Sequence, residues 1–403
     1  MVKKKLCAFT GSRADYSHLK PLMEAIRDSG AFSLRVLASG AHLSRELGLT
    51  YTEIVRDGFT INEKVKLPLG SGTPIDICKS MGVGLAGYGR AYQRMAPHAV
   101  IILGDRYEAF TAAAAAMIAR LPIVHFNGGE ATYGLIDEAI RHSITKMSYI
   151  HFTATEEYRR RVIQLGEDPN RVFCVGALSL DTLRRTPLLE KAGLEKALGI
   201  SLKATTLAVT YHPVTLEDES AAAQFRHVLA AIDRLENTTI IFTKANADPN
   251  GRRINALIDA YVAGHRNKAR AFASLGYKTY YSLLSHADAV VGNSSSGIIE
   301  APSLGIPTVN IGDRQRGRIK AKSVLDCAPA ASSIFRTLDT ALSPEFRRMC
   351  RSVANPYGCG DASSRALAIL EKQMNTINLK KEFYAPPGLC ANSGLSRKKA
   401  HHG

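Results

Sequence analysis

The chain has 403 residues, enough for about two domains, and its 45% hydrophobic and 22% charged content is that of a globular protein with a substantial core. No apolar run approaches the roughly 18 residues that span a membrane, and the formal charge of +16 is spread along the chain rather than gathered in one Lys/Arg run. Trp is absent and no aromatic–basic RNA-binding motif occurs, so no nucleic-acid partner is expected; an acidic small ligand accounts for the positive excess equally well.

The first apolar run, Leu6 to Phe9, is broken by GSRAD and is too short for a signal peptide, which predicts a first strand in a cytoplasmic protein. Seven cysteines without a C-x-x-C support neither a disulfide framework nor a zinc site, and they read as small buried hydrophobes in a reducing compartment.

Strand-type runs then alternate with helical patterns. Strands are predicted at 5–10, 34–39, 99–104, 122–126, 149–154 and 171–176, with helices at 18–28, 43–56, 75–95, 106–119 and 155–165. The pattern breaks near 176–190 and restarts with strands at 205–211, 238–243, 288–293 and 307–312 and helices at 217–235 and 251–263. Continuous apolar strands joined by helices imply parallel sheets covered on both faces. The predicted fold class is therefore α/β, with two Rossmann-like doubly wound domains, 1–180 and 181–375, facing across a cleft. A last helix near 363–374 is a candidate to cross back to the first domain. Residues 376–403, rich in Pro, Gly, Ser and Lys, are expected to form a disordered basic tail.

In such folds ligands bind beyond the carboxyl ends of the strands, so the residues just after each strand are the candidates. After the first strand, TGSRADYS lacks G-x-G-x-x-G but places Arg13 and Ser17 at a helix start, an anion-binding arrangement. SGAHLS aims His42 at the same crevice. Asp105 and Arg106 open an Ala-rich helix. HFNGGE supplies Asn127 and Glu130, and Asp137, Glu138, Arg141 and His142 follow on a helix. There, Asp137 with Arg141 and Glu138 with His142 are each one turn apart, as in i,i+4 pairs. Carboxylates at neighbouring strand ends beside arginines suit proton transfer next to an anionic leaving group. No H-x-x-x-H or H-E-x-x-H occurs, so no metal site is expected. In the second half His212 ends a strand, Asn246 and Asp248 lie in a loop with Lys244, and Ser294, Ser295, Glu300 and Arg314 form a set suited to a diphosphate and a ribose.

Taken together and in order, GSRADYS, SGAHL, GDRYE, HFNGGE, IDEAIRHSITKMS, YHPVT, NSSSGIIEAPSLGIPTVNIG and DRQRGR resemble the hydrolysing UDP-N-acetylglucosamine 2-epimerases of sialic acid synthesis, over about residues 4–375. Each motif is weak alone; the set is specific. The resemblance implies the GT-B arrangement of two Rossmann-like domains, no metal or nicotinamide cofactor, a UDP-sugar substrate, and a homodimer or homotetramer. The implied chemistry is removal of the sugar's C2 proton as UDP leaves C1, then hydration of the glycal to N-acetylmannosamine. By motif, Asp105, Glu130 and Asp137 are the implied acid/base groups. Arg106 and His142 would orient them or touch the sugar, and Arg13, Ser17, His212, Ser294, Ser295, Glu300 and Arg314 would hold UDP. His42, Asn127, Asn246 and Asp248 complete the substrate-binding candidates.

The chain departs from this pattern at Asn127, where several relatives carry a glutamate and others a histidine. An amide takes up no proton at neutral pH, so either Glu130 or Asp137 supplies the base or the substrate differs. UDP-N-acetylglucosamine is the expected substrate, and UDP-N,N′-diacetylbacillosamine of legionaminic acid synthesis is the alternative. A GT-B glycosyltransferase would share the UDP half of the site but leave the three carboxylates without a joint role. A non-catalytic UDP-sugar binder would bind tightly without turnover.

Overall fold

The computed structural model of the chain describes residues 3–70, 73–214, 221–245 and 251–385. Its first sheet contains β1 (Lys4–Thr10), β2 (Phe32–Ser39), β3 (Glu63–Val65), β4 (Ala99–Leu103), β5 (Ile123–Phe126), β6 (Ile150–Thr153) and β7 (Val172–Cys174), in the order β3-β2-β1-β4-β5-β6-β7. The second contains β8 (Thr205–Thr210), β9 (Thr238–Thr243), β10 (Ala269–Phe272), β11 (Ala289–Gly292), β12 (Thr308–Ile311) and β13 (Val324–Cys327), in the order β10-β9-β8-β11-β12-β13. All pairings are parallel. Central strands such as AVIIL in β4 are buried at every residue, as a sheet covered on both faces requires. The architecture is the pair of Rossmann-like domains of a GT-B fold.

Three strands escaped the sequence prediction: β3, β10 and β13. Each has only three or four residues and lies at a sheet edge, so the continuous apolar signal of a doubly covered strand is missing. The predicted 43–56 helix shrinks to Tyr51–Arg56, preceded by a single 3-10 turn at Gly40–Leu43. The first helix begins at Arg13, five residues before its predicted start, because the Ser12 side chain caps it by accepting from the Asp15 N–H. Gly30 ends it in the left-handed conformation, φ 68°.

The two domains are joined at more than the linker. The Leu178–Arg185 and Ala362–Gln373 helices both pack on the Arg13–Ser29 helix, and Ala362, Ala366 and Leu370 belong to the core of the first domain. Asp181 accepts from the Ala362 and Ser363 N–H groups at 2.9 and 2.7 Å, capping the last helix from the domain junction. Beyond that helix the chain continues along the first domain. Lys381 Nζ reaches both oxygens of Glu167, at 2.9 and 2.8 Å, and the Lys146 and Ser148 carbonyls, each at 2.7 Å. The segment predicted as a disordered tail thus begins with residues 376–385 laid on the domain, held by a buried carboxylate that needs a cation. Residues 386–403 lie outside the described residues. No described helix is long and apolar enough to cross a membrane.

Candidate active site

In both sheets the strand order reverses between two central neighbours, β1 beside β4 and β8 beside β11. The crevice past the carboxyl ends of those strands is where doubly wound sheets bind ligands. Thr10–Arg13, Gly104–Arg106, Tyr211–His212 and Asn293–Ser296 all emerge there.

On the first domain the site is organised by Arg141. This side chain is 1% exposed and sits one turn into the Asp137–Met147 helix. Nε and Nη2 donate to Asp105 Oδ2 at 2.9 and 2.5 Å, Nη1 to the Glu130 carbonyl at 2.8 Å and Glu138 Oε2 at 2.7 Å, and Nη2 also to Thr132 Oγ1 at 2.7 Å. All five N–H groups of the guanidinium are matched, which is what a buried cation requires. The sequence spacing pointed to an Asp137–Arg141 pair. Instead Arg141 takes Glu138, at i,i+3, together with Asp105 from the neighbouring strand end. Asp137 is half-buried, near enough to Asp105, Arg106 and Arg314 to feel their charges.

The two aspartates are tuned in opposite directions. Burial alone would push Asp105 up, but the charges of Arg141 and Arg318 outweigh it and hold the carboxyl below its ordinary range. Burial, and then the negative charge of Asp105, push Asp137 up to about 6, against the pull of Arg106 and Arg314. Glu138 is also disfavoured by burial, yet hydrogen bonds from His142, the Thr132 N–H and Arg141 bring it down to about 2.

Glu130, predicted as an acid/base group, is 2% exposed, and its Oε2 is paired with Arg318 of the second domain at 2.7 Å. That ion pair ties Glu130 to the domain boundary. His42 is placed beneath the same crevice. It is fully buried, with Nε2 2.9 Å from Thr10 Oγ1 and Nδ1 2.8 Å from Thr50 Oγ1, so it braces the strand end. His142 sits 3.0 Å from Glu138 Oε1. Arg106 lies 3.3 Å from Glu108 Oε2. Asn127 has φ +64°, a left-handed conformation that Asn tolerates better than most residues. Two residues on, Gly129 (φ +78°) passes so close to the Glu156–Gln164 helix that a Cβ would meet the Tyr158 carbonyl at 2.3 Å.

The second half of the site is a cavity of about 240 Å³ between the domains. Arg13, Ser17 and His18 line it from the first domain, and His212, Lys244, Ser294, Ser295, Ser296, Glu300 and Arg314 from the second. The His212 N–H donates to Asn293 Oδ1 at 2.7 Å, and Arg314 Nη1 donates to the Asn293 carbonyl at 3.0 Å, which fixes the serine loop between them. Three cations and several hydroxyls around one cleft suit a polyanion. Glu300 is 3% exposed, and burial pushes it up to about 7. Asn246 and Asp248 lie outside the described residues. His18, Lys244, Tyr277 and Tyr280 line the cavity without having been singled out as ligand contacts; the signal was their place at strand ends or in the first turns of the flanking helices. Among the described residues no group of three or more His, Cys, Asp or Glu is placed to hold a metal ion.

Residues 24–371 match the family model described as UDP-N-acetylglucosamine 2-epimerase. The chain belongs to that family. Among relatives in the UDP-N-acetylglucosamine 2-epimerase family, it is 40% identical to the GDP/UDP-N,N′-diacetylbacillosamine 2-epimerase (hydrolyzing) of Campylobacter jejuni, covering 86% of this chain and 90% of that one. It is 36% identical to polysialic acid biosynthesis protein P7 of Escherichia coli, covering 95% and 98%. The fold is similar to that of the UDP-GlcNAc 2-epimerase from Neisseria meningitidis solved with UDP-GlcNAc, with TM-score 0.77, 18% identity and coverage of 92% and 100%.

Proposed function

We propose that the protein is a hydrolysing 2-epimerase that releases UDP from a UDP-linked 2-acetamido sugar and leaves the free sugar inverted at C2. One observation carries this reading: two carboxylates of unequal basicity, Asp105 just past β4 and Asp137 at the start of the helix that carries Arg141, lie close enough to feel each other's charge, and Arg314, which acts on Asp137, also lines the cleft with Arg13 and Lys244. Asp137, ionised at neutral pH yet more basic than an ordinary carboxylate, takes the C2 proton. The C1–O bond breaks with its electron pair going to UDP, whose charge Arg13, Arg314 and the Ser294–Ser296 loop receive. A C1=C2 double bond results. Asp105, kept anionic by Arg141, orients the water that adds at C1, and a solvent-derived proton enters C2 from the opposite face.

UDP-N-acetylglucosamine is the expected substrate, and N-acetylmannosamine with UDP the expected products. A second reading, UDP-N,N′-diacetylbacillosamine, is favoured by the 40% identity to the Campylobacter enzyme named for that sugar. Offering both UDP sugars side by side and measuring kcat/KM for UDP release decides between them. Failure to release UDP from either would sink the reaction itself. A homodimer is proposed as the assembly, supported by exposed Val83 and Leu85 on one helix and Met117 and Ile118 on its packed neighbour; light scattering tests it.

A further inference from the structure

The segment from Arg314 to Ile319 belongs to the second domain but is seated on the first. The Tyr133 N–H donates to the Arg316 carbonyl at 3.2 Å. Gly317, at φ +95°, lies so close that a Cβ would meet Ala131 at 2.8 Å and the Tyr133 ring at 2.9 Å. Ile319 is held at both ends, its N–H donating to the Tyr158 hydroxyl at 3.0 Å and its carbonyl accepting from the Tyr357 hydroxyl at 2.9 Å. Between these anchors Arg318 crosses the domain boundary to Glu130, at 2.7 Å.

The pair is not bonded as a stability device would be. Glu130 Oε1 and Arg318 Nε and Nη1 are buried without a hydrogen-bond partner in the protein. A half-satisfied buried pair costs stability relative to an apolar contact, so its retention calls for another role. The connections of its two ends supply one. Glu130 offers its own carbonyl to Arg141, whose other nitrogens fix Asp105. At the start of the segment, Arg314 lines the nucleotide cavity and holds the Asn293 carbonyl, as does Gln315 at 2.8 Å.

We infer that Arg318 is a positioning residue: through its ion pair with Glu130 it links occupancy of the cavity in the second domain to the seating of the 130–141 segment that carries Asp137 and orients Asp105. This rests on the cavity being the nucleotide site, as proposed above, but not on turnover. Glu130 is thereby the seat of Arg318 and not the base.

The test uses UDP as the probe. Amide hydrogen exchange of the 130–141 segment is measured in the full chain with and without saturating UDP, for wild type, Arg318→Ala, Arg318→Lys and Glu130→Gln, alongside kcat and KM. UDP is expected to slow exchange in this segment of wild type by about tenfold or more, and to leave it unchanged in Arg318→Ala and Glu130→Gln. In Arg318→Ala, kcat should fall by about 30-fold or more while the Kd for UDP stays within about threefold. Arg318→Lys, which keeps a cation at the boundary, should recover part of kcat. Glu130→Gln, which keeps the side-chain shape, serves if the alanine variant folds poorly. UDP protection that survives in both variants, no recovery of kcat in Arg318→Lys, or a loss of UDP affinity as large as the loss of kcat overturns the inference. Wild type that shows the protection but releases no UDP from either sugar nucleotide contradicts the proposed reaction and leaves the coupling standing.

Discussion

Arg141 sets two nitrogens on a single oxygen of Asp105, Nε at 2.9 Å and Nη2 at 2.5 Å, from a helix that starts at the other catalytic candidate, Asp137. The fork fixes where Asp105 points and keeps it charged. Arg141→Lys retains a cation but cannot satisfy five acceptor contacts from one ammonium. It should lower kcat by about two orders of magnitude or more. Arg141→Ala, which leaves Asp105 and Glu138 without their buried cation, should also destabilise the fold by about 3–5 kcal/mol, read by urea denaturation.

Asp137 sets a pH dependence with a definite sign. A base must be ionised, so kcat/KM should fall as pH drops through about 6. In Asp105→Asn, where the neighbouring negative charge is gone, the limb of the residual activity should move to lower pH. Stability runs the other way. A carboxyl whose folded pKa is raised favours the fold below the unfolded value, near 4, and loses that contribution as pH rises through about 6. Asp137→Asn should therefore be inactive yet melt higher than wild type at pH 8, with the difference vanishing near pH 4.

Much of this was legible from the strand ends. Asp105, Asp137, Ser294 and Arg314 follow long apolar runs or open helices, and the location rule for doubly wound sheets finds them without contacts. What was hidden depends on partners distant in sequence. Nothing local announces that Glu130 meets Arg318, or that Thr10 and Thr50 use up both nitrogens of His42. Helical spacing joined Asp137 to Arg141, and only the neighbouring strand end at Asp105 explains why the guanidinium turns the other way. Asn127 read as a missing carboxylate; its positive φ shows that the position also carries a backbone demand.

Glu300 should make nucleotide binding pH-dependent. Burial raises it to about 7, and the ionised form is the stronger acceptor, because protonation turns one oxygen into a donor. If it receives ribose hydroxyls, UDP should bind more tightly as pH rises from 6 to 8. Glu300→Gln should weaken binding at pH 8 and flatten the dependence, as measured by titration calorimetry.

The last described residues should be needed for stability. Glu167 is fully buried against His151, Lys146 and Lys381, and despite its burial their hydrogen bonds hold it at about 2. Lys381→Met should cost about 1.5–3 kcal/mol at pH 7, because Lys146 and His151 stay beside Glu167. Because the folded pKa lies below the unfolded one, this contribution is present above the ordinary glutamate range and is lost as pH falls toward about 2. The gap between wild type and Lys381→Met should narrow in that window.

The most direct measurement is the reaction run in D₂O, with each UDP sugar followed by NMR. The account predicts free UDP together with a 2-acetamido sugar inverted at C2 and carrying deuterium there, abolished in Asp137→Asn. Release of UDP with protium retained at C2, or with the original configuration kept, would contradict it.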